Sequence, residues 1–139
     1  MQIQCWHIDA MLAAAAGSTA EICGVLIGRR APQMIVHTIV PGHNLHTQPQ
    51  RHFLLDAQTL LQADAQARAA GDEILGFYHS HPSGGALPSP HDRRDAWPGY
   101  LYLIIAVERG APRYLCAWIC QSNGMFQPAP IQPYPEERA

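Results

Sequence analysis

Apolar residues recur at helical spacing near the start of the chain. Ile8, Met11, Leu12 and Ala15 fall on one face of an alanine-rich run that stops at Gly17-Ser18, which predicts a helix over 8–16. The period then shortens, and 21–29 and 33–40 read as two strands joined by a turn at 30–32. A polar, turn-rich stretch over 41–50 carries His43 and His46, both expected in solvent, and 51–55 is a candidate strand. Residues 56–70, rich in Ala, Leu and Gln, predict a second helix with Asp56 as its cap, Leu60 and Leu61 turned inward and Gly71 as its stop. The apolar run 74–78, bounded by Gly71 and Pro82, predicts a buried strand. The most β-like segments are 100–107 and 113–120, separated by a hairpin signal, and they are expected inside the sheet. Prolines at 128, 130, 133 and 135 predict an irregular, extended or disordered tail. The alternation of helices and strands implies a mixed α/β layer sandwich, one domain over 1–126 followed by a Pro-rich tail over 127–139.

Composition narrows the picture. With 139 residues, 47% of them hydrophobic, the chain suffices for one core and is too short for two. A net charge of −2 without a block of Lys or Arg leaves no electrostatic footprint for nucleic acid or an anionic membrane. The N-terminal Met1-Gln2-Ile3-Gln4-Cys5 lacks the features of a signal peptide and no apolar run is long enough to span a bilayer, so a cytoplasmic protein is expected. The four cysteines, at 5, 23, 116 and 120, form no Cys-x-x-Cys knuckle and are expected as buried free thiols. Oligomeric state is not legible in the pattern.

Candidate chemistry concentrates in 76–95. His79 and His81 lie two apart on the predicted strand, so their side chains share a face with alpha carbons about 7 Å apart and can converge on one ion. Ser89-Pro90-His91-Asp92 reads as a helix start, with Ser at the cap, Pro at the first helical position and the acid at the third. A Gly/Pro-rich loop can fold Asp92 back onto the strand end. Two imidazoles and a carboxylate suit Zn²⁺ and leave a fourth position for water. Ser80 faces the other way and reads as structural, while His91 is expected to hydrogen-bond outside the site.

The order His79-Ser80-His81-Pro82, six residues, Ser89, two residues, Asp92 resembles the signature of the JAMM (MPN+) metalloproteases. The resemblance implies that His79, His81 and Asp92 bind catalytic zinc and that the fold is of the MPN, deaminase-like type. An upstream segment, Glu21-Ile22-Cys23-Gly24-Val25-Leu26-Ile27-Gly28, is similar to the stretch that carries the family's glutamate. That similarity implies Glu21 as general base and Ser89 as a hydroxyl donor to the tetrahedral intermediate. The chain looks closest to the short bacterial Mec+ type enzymes, partly through Trp97-Pro98-Gly99-Tyr100-Leu101-Tyr102-Leu103. The implied substrate is a ubiquitin-like sulfur-carrier protein with a Gly-Gly tail, cut just after that tail.

Two rivals share the pattern. RadC-like proteins carry a His-Pro-Ser-Gly run followed by Pro-Ser, matched here by His81-Pro82-Ser83-Gly84 and Pro88-Ser89, but the Glu21 segment and the lack of a preceding DNA-binding region speak against them. A non-enzymatic MPN scaffold would have lost the metal motif, which is complete here. A zinc nucleoside deaminase needs His-x-Glu and Pro-Cys-x-x-Cys, and neither is present. Gly84 and Gly85 leave the loop after the histidines free to act as a lid or as a plain connector.

Overall fold

The computed structural model describes residues 1–135. Its elements in chain order are β1 (Gln2–Gln4), α1 (Cys5–Ala15), β2 (Cys23–Arg29), β3 (Ile35–Pro41), α2 (Ala57–Ala69), β4 (Glu73–His81), α3 (Pro90–Asp95), β5 (Leu101–Glu108), β6 (Ala111–Cys120), β7 (Phe126–Ala129) and β8 (Gln132–Tyr134). The strands form one mixed sheet in the order β7-β6-β5-β4-β2-β3-β1-β8. β4 and β5 run parallel, while β2 pairs antiparallel with β4 and β3.

The alternation along each strand sorts side chains into two layers. Leu26, Leu75, Leu101, Leu103 and Ile105 pack with Met11 and Ala15 of α1 on one face of the sheet. On the other face, Val25 and Ile27 meet Ala63 and Ala67 of α2, and Ile104 and Ala106 are covered by Ala86 of the loop after β4. Phe77 belongs to that second layer. His79 and His81, two and four residues further along the strand, therefore open onto the face of α2 and not of α1.

Where two strands must approach closely, glycine is required. A Cβ at Gly76 would run into the backbone of Leu101, so this residue sets the spacing of β4 against β5.

Several expectations are corrected. Leu60 and Leu61 are not inward: α2 buries Thr59, Ala63 and Ala67, and Leu61 is 71% exposed. The small residues let the helix axis lie close to the sheet, which turns the neighbouring leucines outward. Residues 51–55 form no strand, because the segment contributes a single bridge, Asn44 with Leu55. The first helix, predicted over 8–16, begins earlier, at Cys5, and is preceded by β1. Part of the tail is regular too: β7 and β8 occupy the two edges of the sheet, where Pro128 and Pro133 need give no hydrogen bond to an outer neighbour. Residues 136–139 of the tail lie outside the described residues. All four cysteines are unpaired, but only Cys23 and Cys120 are buried, and Cys5 is exposed at the start of α1.

The remaining elements follow the sequence pattern. Asp56 caps α2, accepting from the amides of His43 and Thr59 at 2.9 and 3.0 Å, and these bonds bring its pKa down to about 2. Among the described residues, no helix is long and apolar enough to cross a membrane.

Candidate metal centre

The last turn of strand geometry in β4 presents His79 and His81 on one face, and the register of the sheet decides what stands beside them. Cys23 pairs with His79 in the antiparallel β2–β4 ladder. One step beyond, Ser80 and Ile22 exchange bonds: the Ser80 amide donates to the Ile22 carbonyl at 3.0 Å and the Ile22 amide donates to Ser80 Oγ at 2.9 Å. Ser80 thus does the structural work expected of it. It holds the residue preceding Ile22, Glu21, level with His81.

From the other side, α3 delivers Asp92. Ser89 Oγ accepts from the Asp92 amide at 3.0 Å and the Ser89 amide donates back to Asp92 Oδ2 at 2.9 Å, a complete capping box that fixes the carboxylate rotamer. The same Oδ2 lies 3.1 Å from His79 Nε2 and 3.0 Å from His81 Nε2, and the two ring nitrogens are 3.2 Å apart. One ligand-type atom from each of Glu21, His79, His81 and Asp92 falls within 4.8 Å of all the others.

The protonation chemistry of this cluster calls for a cation. His81 Nδ1 lies 2.7 Å from the Gly85 carbonyl, which only accepts, so Nδ1 carries the proton and Nε2 of the neutral ring presents a lone pair. Lone pairs from two imidazoles and a carboxylate at 3.0–3.2 Å repel one another unless positive charge lies between them, a shared proton in the metal-free protein or a metal ion in its place. Ligand atoms about 2.0–2.1 Å from a tetrahedral ion are about 3.3 Å apart, close to the spacing seen. His79 Nδ1 and Glu21 Oε1 are buried without a hydrogen-bond partner. The donor set fits a divalent ion of borderline softness such as Zn²⁺.

Burial and charge tune each group differently. Burial lowers the pKa of His79, which is 0% exposed, and so favours the neutral ring that can act as a ligand. For His81, burial works in the same direction, but the hydrogen bonds to Asp92 and Gly85 outweigh it and raise the pKa. Burial would raise Asp92 as well, yet the two imidazoles and the Ser89 amide hold its carboxyl far below the usual range. Glu21, 4% exposed, is pushed up to about 7 by burial, with His81 pulling it down and Asp92 pushing it up.

Other residues complete the site without having been singled out by motif. Phe53 stacks on the His79 ring at 4.4 Å. Asn44 organises the whole loop between β3 and α2: its amide nitrogen donates to the carbonyls of Glu21 and His52 at 3.0 and 2.9 Å, while its oxygen accepts from the amides of His46 and Leu54 at 3.0 Å each. An asparagine in a polar, turn-rich stretch gives no sign of that role, since its partners lie as far as 23 residues away. His43 is exposed and His46 half-buried, and neither belongs to the cluster; His91 pairs with Asp95 at 3.1 Å, outside it. The loop expected to be a lid or a connector is tethered, with Gly84 bridged to Val107 and the Ala86 carbonyl accepting from the Trp118 indole at 2.8 Å.

Two cavities flank the cluster. The larger, ≈ 540 Å³, is walled by Phe53, Leu54, Leu60, Phe77, Trp97 and Tyr102, with His79, His91, Asp92, Arg94 and Asp95 completing its lining. The smaller, ≈ 200 Å³, is lined by Glu21, Gln50, Arg51, His81, Ser83 and Ser89.

Comparison with known proteins identifies the family. A family model described as prokaryotic homologs of the JAB domain matches residues 6–120. The desampylase of Haloferax volcanii is 39% identical over 92 residues, covering 66% of each chain. A probable TtuB-protein conjugate cleaving protease of Thermus thermophilus is 36% identical over 88 residues, covering 63% of this chain and 57% of that one. The chain thus spans 66% and 57% of the lengths of these two relatives. A solution structure of a Desulfitobacterium hafniense protein superposes with a TM-score of 0.84 at 32% identity, covering 97% of this chain and 93% of that one.

Proposed function

The chain belongs to the family of prokaryotic homologs of the JAB domain, and from that premise we propose that it is a zinc-dependent peptidase cutting the peptide or isopeptide bond after the C-terminal Gly-Gly of a ubiquitin-like or sulfur-carrier protein. The observation that carries this reading is the meeting of three lone-pair atoms, from His79, His81 and Asp92, beside the buried and partnerless carboxyl of Glu21. His79, His81 and Asp92 hold the ion. When bound, zinc supplies Lewis acidity and lowers the pKa of water from 15.7 to about 7.

Glu21 takes a proton from the attacking water and returns it to the leaving nitrogen. Burial strengthens the hold of Glu21 on a proton, so the carboxylate can keep the proton taken from water until it is returned to the nitrogen. The water oxygen bonds to the carbonyl carbon, the C–N bond breaks, and the products are a carboxylate and an amine. Ser89 Oγ accepts from the Asp92 amide, which leaves its own proton to donate to the developing oxyanion. The larger cavity, with its wall of Phe53, Leu54, Phe77 and Trp97, accepts the residues preceding the Gly-Gly pair, and glycines pass the cluster where side chains would collide. The names of the two relatives, a desampylase and a conjugate cleaving protease, support a ubiquitin-like substrate. Four unpaired thiols support a reducing, cytoplasmic setting.

The test is to incubate the zinc-loaded protein with a sulfur-carrier protein extended by one or two residues beyond Gly-Gly, with diubiquitin alongside, and to follow intact mass. Zinc-dependent trimming of the carrier alone is expected. Efficient cleavage of diubiquitin with no action on any extended carrier overturns the sulfur-carrier assignment in favour of a deubiquitinase.

A further inference from the structure

The cluster lies between two cavities, and the chemistry of Glu21 assigns them to opposite sides of the scissile bond. Glu21 lines the smaller cavity. Since it must hand its proton to the departing nitrogen, the leaving group lies on that side and the acyl portion on the side of the larger cavity.

Arg51 is the cation of the leaving-group side. Its side chain is exposed and enters no ion pair among the described residues. Its backbone, by contrast, is firmly placed. The Arg51 amide donates to the Gln48 carbonyl at 3.1 Å, the Glu21 amide donates to the Pro49 carbonyl at 2.7 Å, and the Asn44 amide bridges the carbonyls of Glu21 and His52. The turn that carries Arg51 and the residue proposed as base are therefore one hydrogen-bonded unit. At ≈ 200 Å³ the cavity is smaller than the about 300–1,000 Å³ of sites that hold drug-sized ligands, so it suits a residue and not a folded segment.

Resting on the proposed hydrolysis, we infer that Arg51 is a specificity residue that binds the free α-carboxylate of a single leaving residue, making the preferred substrate a carrier with a one-residue C-terminal extension. A peptide-linked residue presents its carboxylate beside the leaving nitrogen, where the planar guanidinium fork can take both oxygens. An isopeptide-linked lysine presents only methylene groups at that place, and a longer extension presents a neutral amide. Both leave the guanidinium without its partner.

The experiment uses a carrier protein extended by one alanine, prepared with a free C-terminal acid and with a C-terminal amide. The zinc-loaded wild-type protein should favour the acid by about 10- to 100-fold in kcat/KM, the range expected for hydrogen bonds to a charged group. Arg51→Ala should bring the acid down to the level of the amide and leave the amide untouched, and Arg51→Lys should restore part of the preference. Equal rates for acid and amide in the wild type, or an equal loss on both in Arg51→Ala, overturn the inference while leaving the hydrolysis in place. Titrating Glu21→Gln protein with the same two carriers by calorimetry reads Arg51 independently of turnover. A preference for the acid there supports the inference even if nothing is cut, an outcome that sinks the hydrolysis alone, and equal affinities count against Arg51.

Discussion

His79 and His81 face each other with their ring planes 60° apart and their Nε2 atoms 3.2 Å apart, whereas His52 and His91, next to them in the fold, stack with ring centroids at 3.9 Å and planes only 30° apart. The difference lies in where the lone pairs point. An imidazole lone pair lies in the plane of its ring, so stacked rings direct theirs side by side and tilted rings can direct theirs at one focus. His46, whose ring is tilted against His52 and edge-on to His91, already accepts the Gln48 amide through Nδ1 at 2.9 Å, and His91 is engaged by Asp95. A count of histidines would rank the stack above the pair. Convergence, enforced by the strand under His79 and His81 and by the Gly85 carbonyl that fixes one tautomer, is what separates a metal centre from a cluster of rings.

The sharpest break of that contrast is His81→Ala. It should remove zinc and hydrolysis together, well beyond the about 10–100-fold that outer-shell partners contribute, while His52→Gln keeps one zinc per chain and wild-type turnover. Metal analysis after dialysis decides it. Zinc retained by His81→Ala and lost from His52→Gln would invert the assignment.

Glu21→Gln should keep zinc and lower turnover by about 10²- to 10⁴-fold. The same variant has an opposite effect on stability. In chelator-treated protein the pKa of Glu21 is raised from 4.5 to about 7, so the folded state binds its proton more tightly than the unfolded chain. Below pH 4.5 both states are protonated and Glu21 contributes nothing. Between 4.5 and about 7 the unfolded chain ionises first, and stability falls progressively, by on the order of 3 kcal/mol, then stays level above that range. Thermal melts of the chelated proteins should therefore show Glu21→Gln more stable than wild type at pH 8 and indistinguishable at pH 4. An equal difference at both values refutes the raised pKa.

Ser89→Ala should lower kcat by about 10²-fold through loss of the oxyanion donor and cost about 1 kcal/mol through loss of the helix cap. Ser89→Thr, which keeps the hydroxyl, should recover most of both. Normal turnover with a lowered melting temperature would make Ser89 a cap alone.

Much of the site was legible because its parts are local. Two histidines at strand spacing and a Ser-Pro-x-Asp helix start owe their geometry to a few neighbouring residues, so spacing alone predicts which side chains share a face. Glu21 was different. Resemblance pointed to it, and its place beside His81 depends on the β2–β4 register and the Ser80–Ile22 bonds, which join residues 58 apart. Arg51, Phe53 and Asn44 escaped altogether, since they sit in a loop whose shape is set by hydrogen bonds to distant carbonyls. The misreading of Leu60 and Leu61 has a packing cause: hydrophobicity ranks leucine above alanine for the core, but close approach of α2 to the sheet favours Ala63 and Ala67, and the leucines are left facing outward.

By itself the sequence determined the helix and strand periods, the caps of α2 and α3, and the pair of histidines with their aspartate. Each of these is set within about one turn or one strand, where sterics and hydrogen bonds between near neighbours decide. Only the tertiary structure decided that Glu21 stands level with His81, that the prolines of the tail close the two edges of the sheet, and that two cavities meet at the candidate metal centre. Those features arise from sheet register and from loops pinned across the fold, where the energy of a contact depends on a partner that chain spacing does not identify.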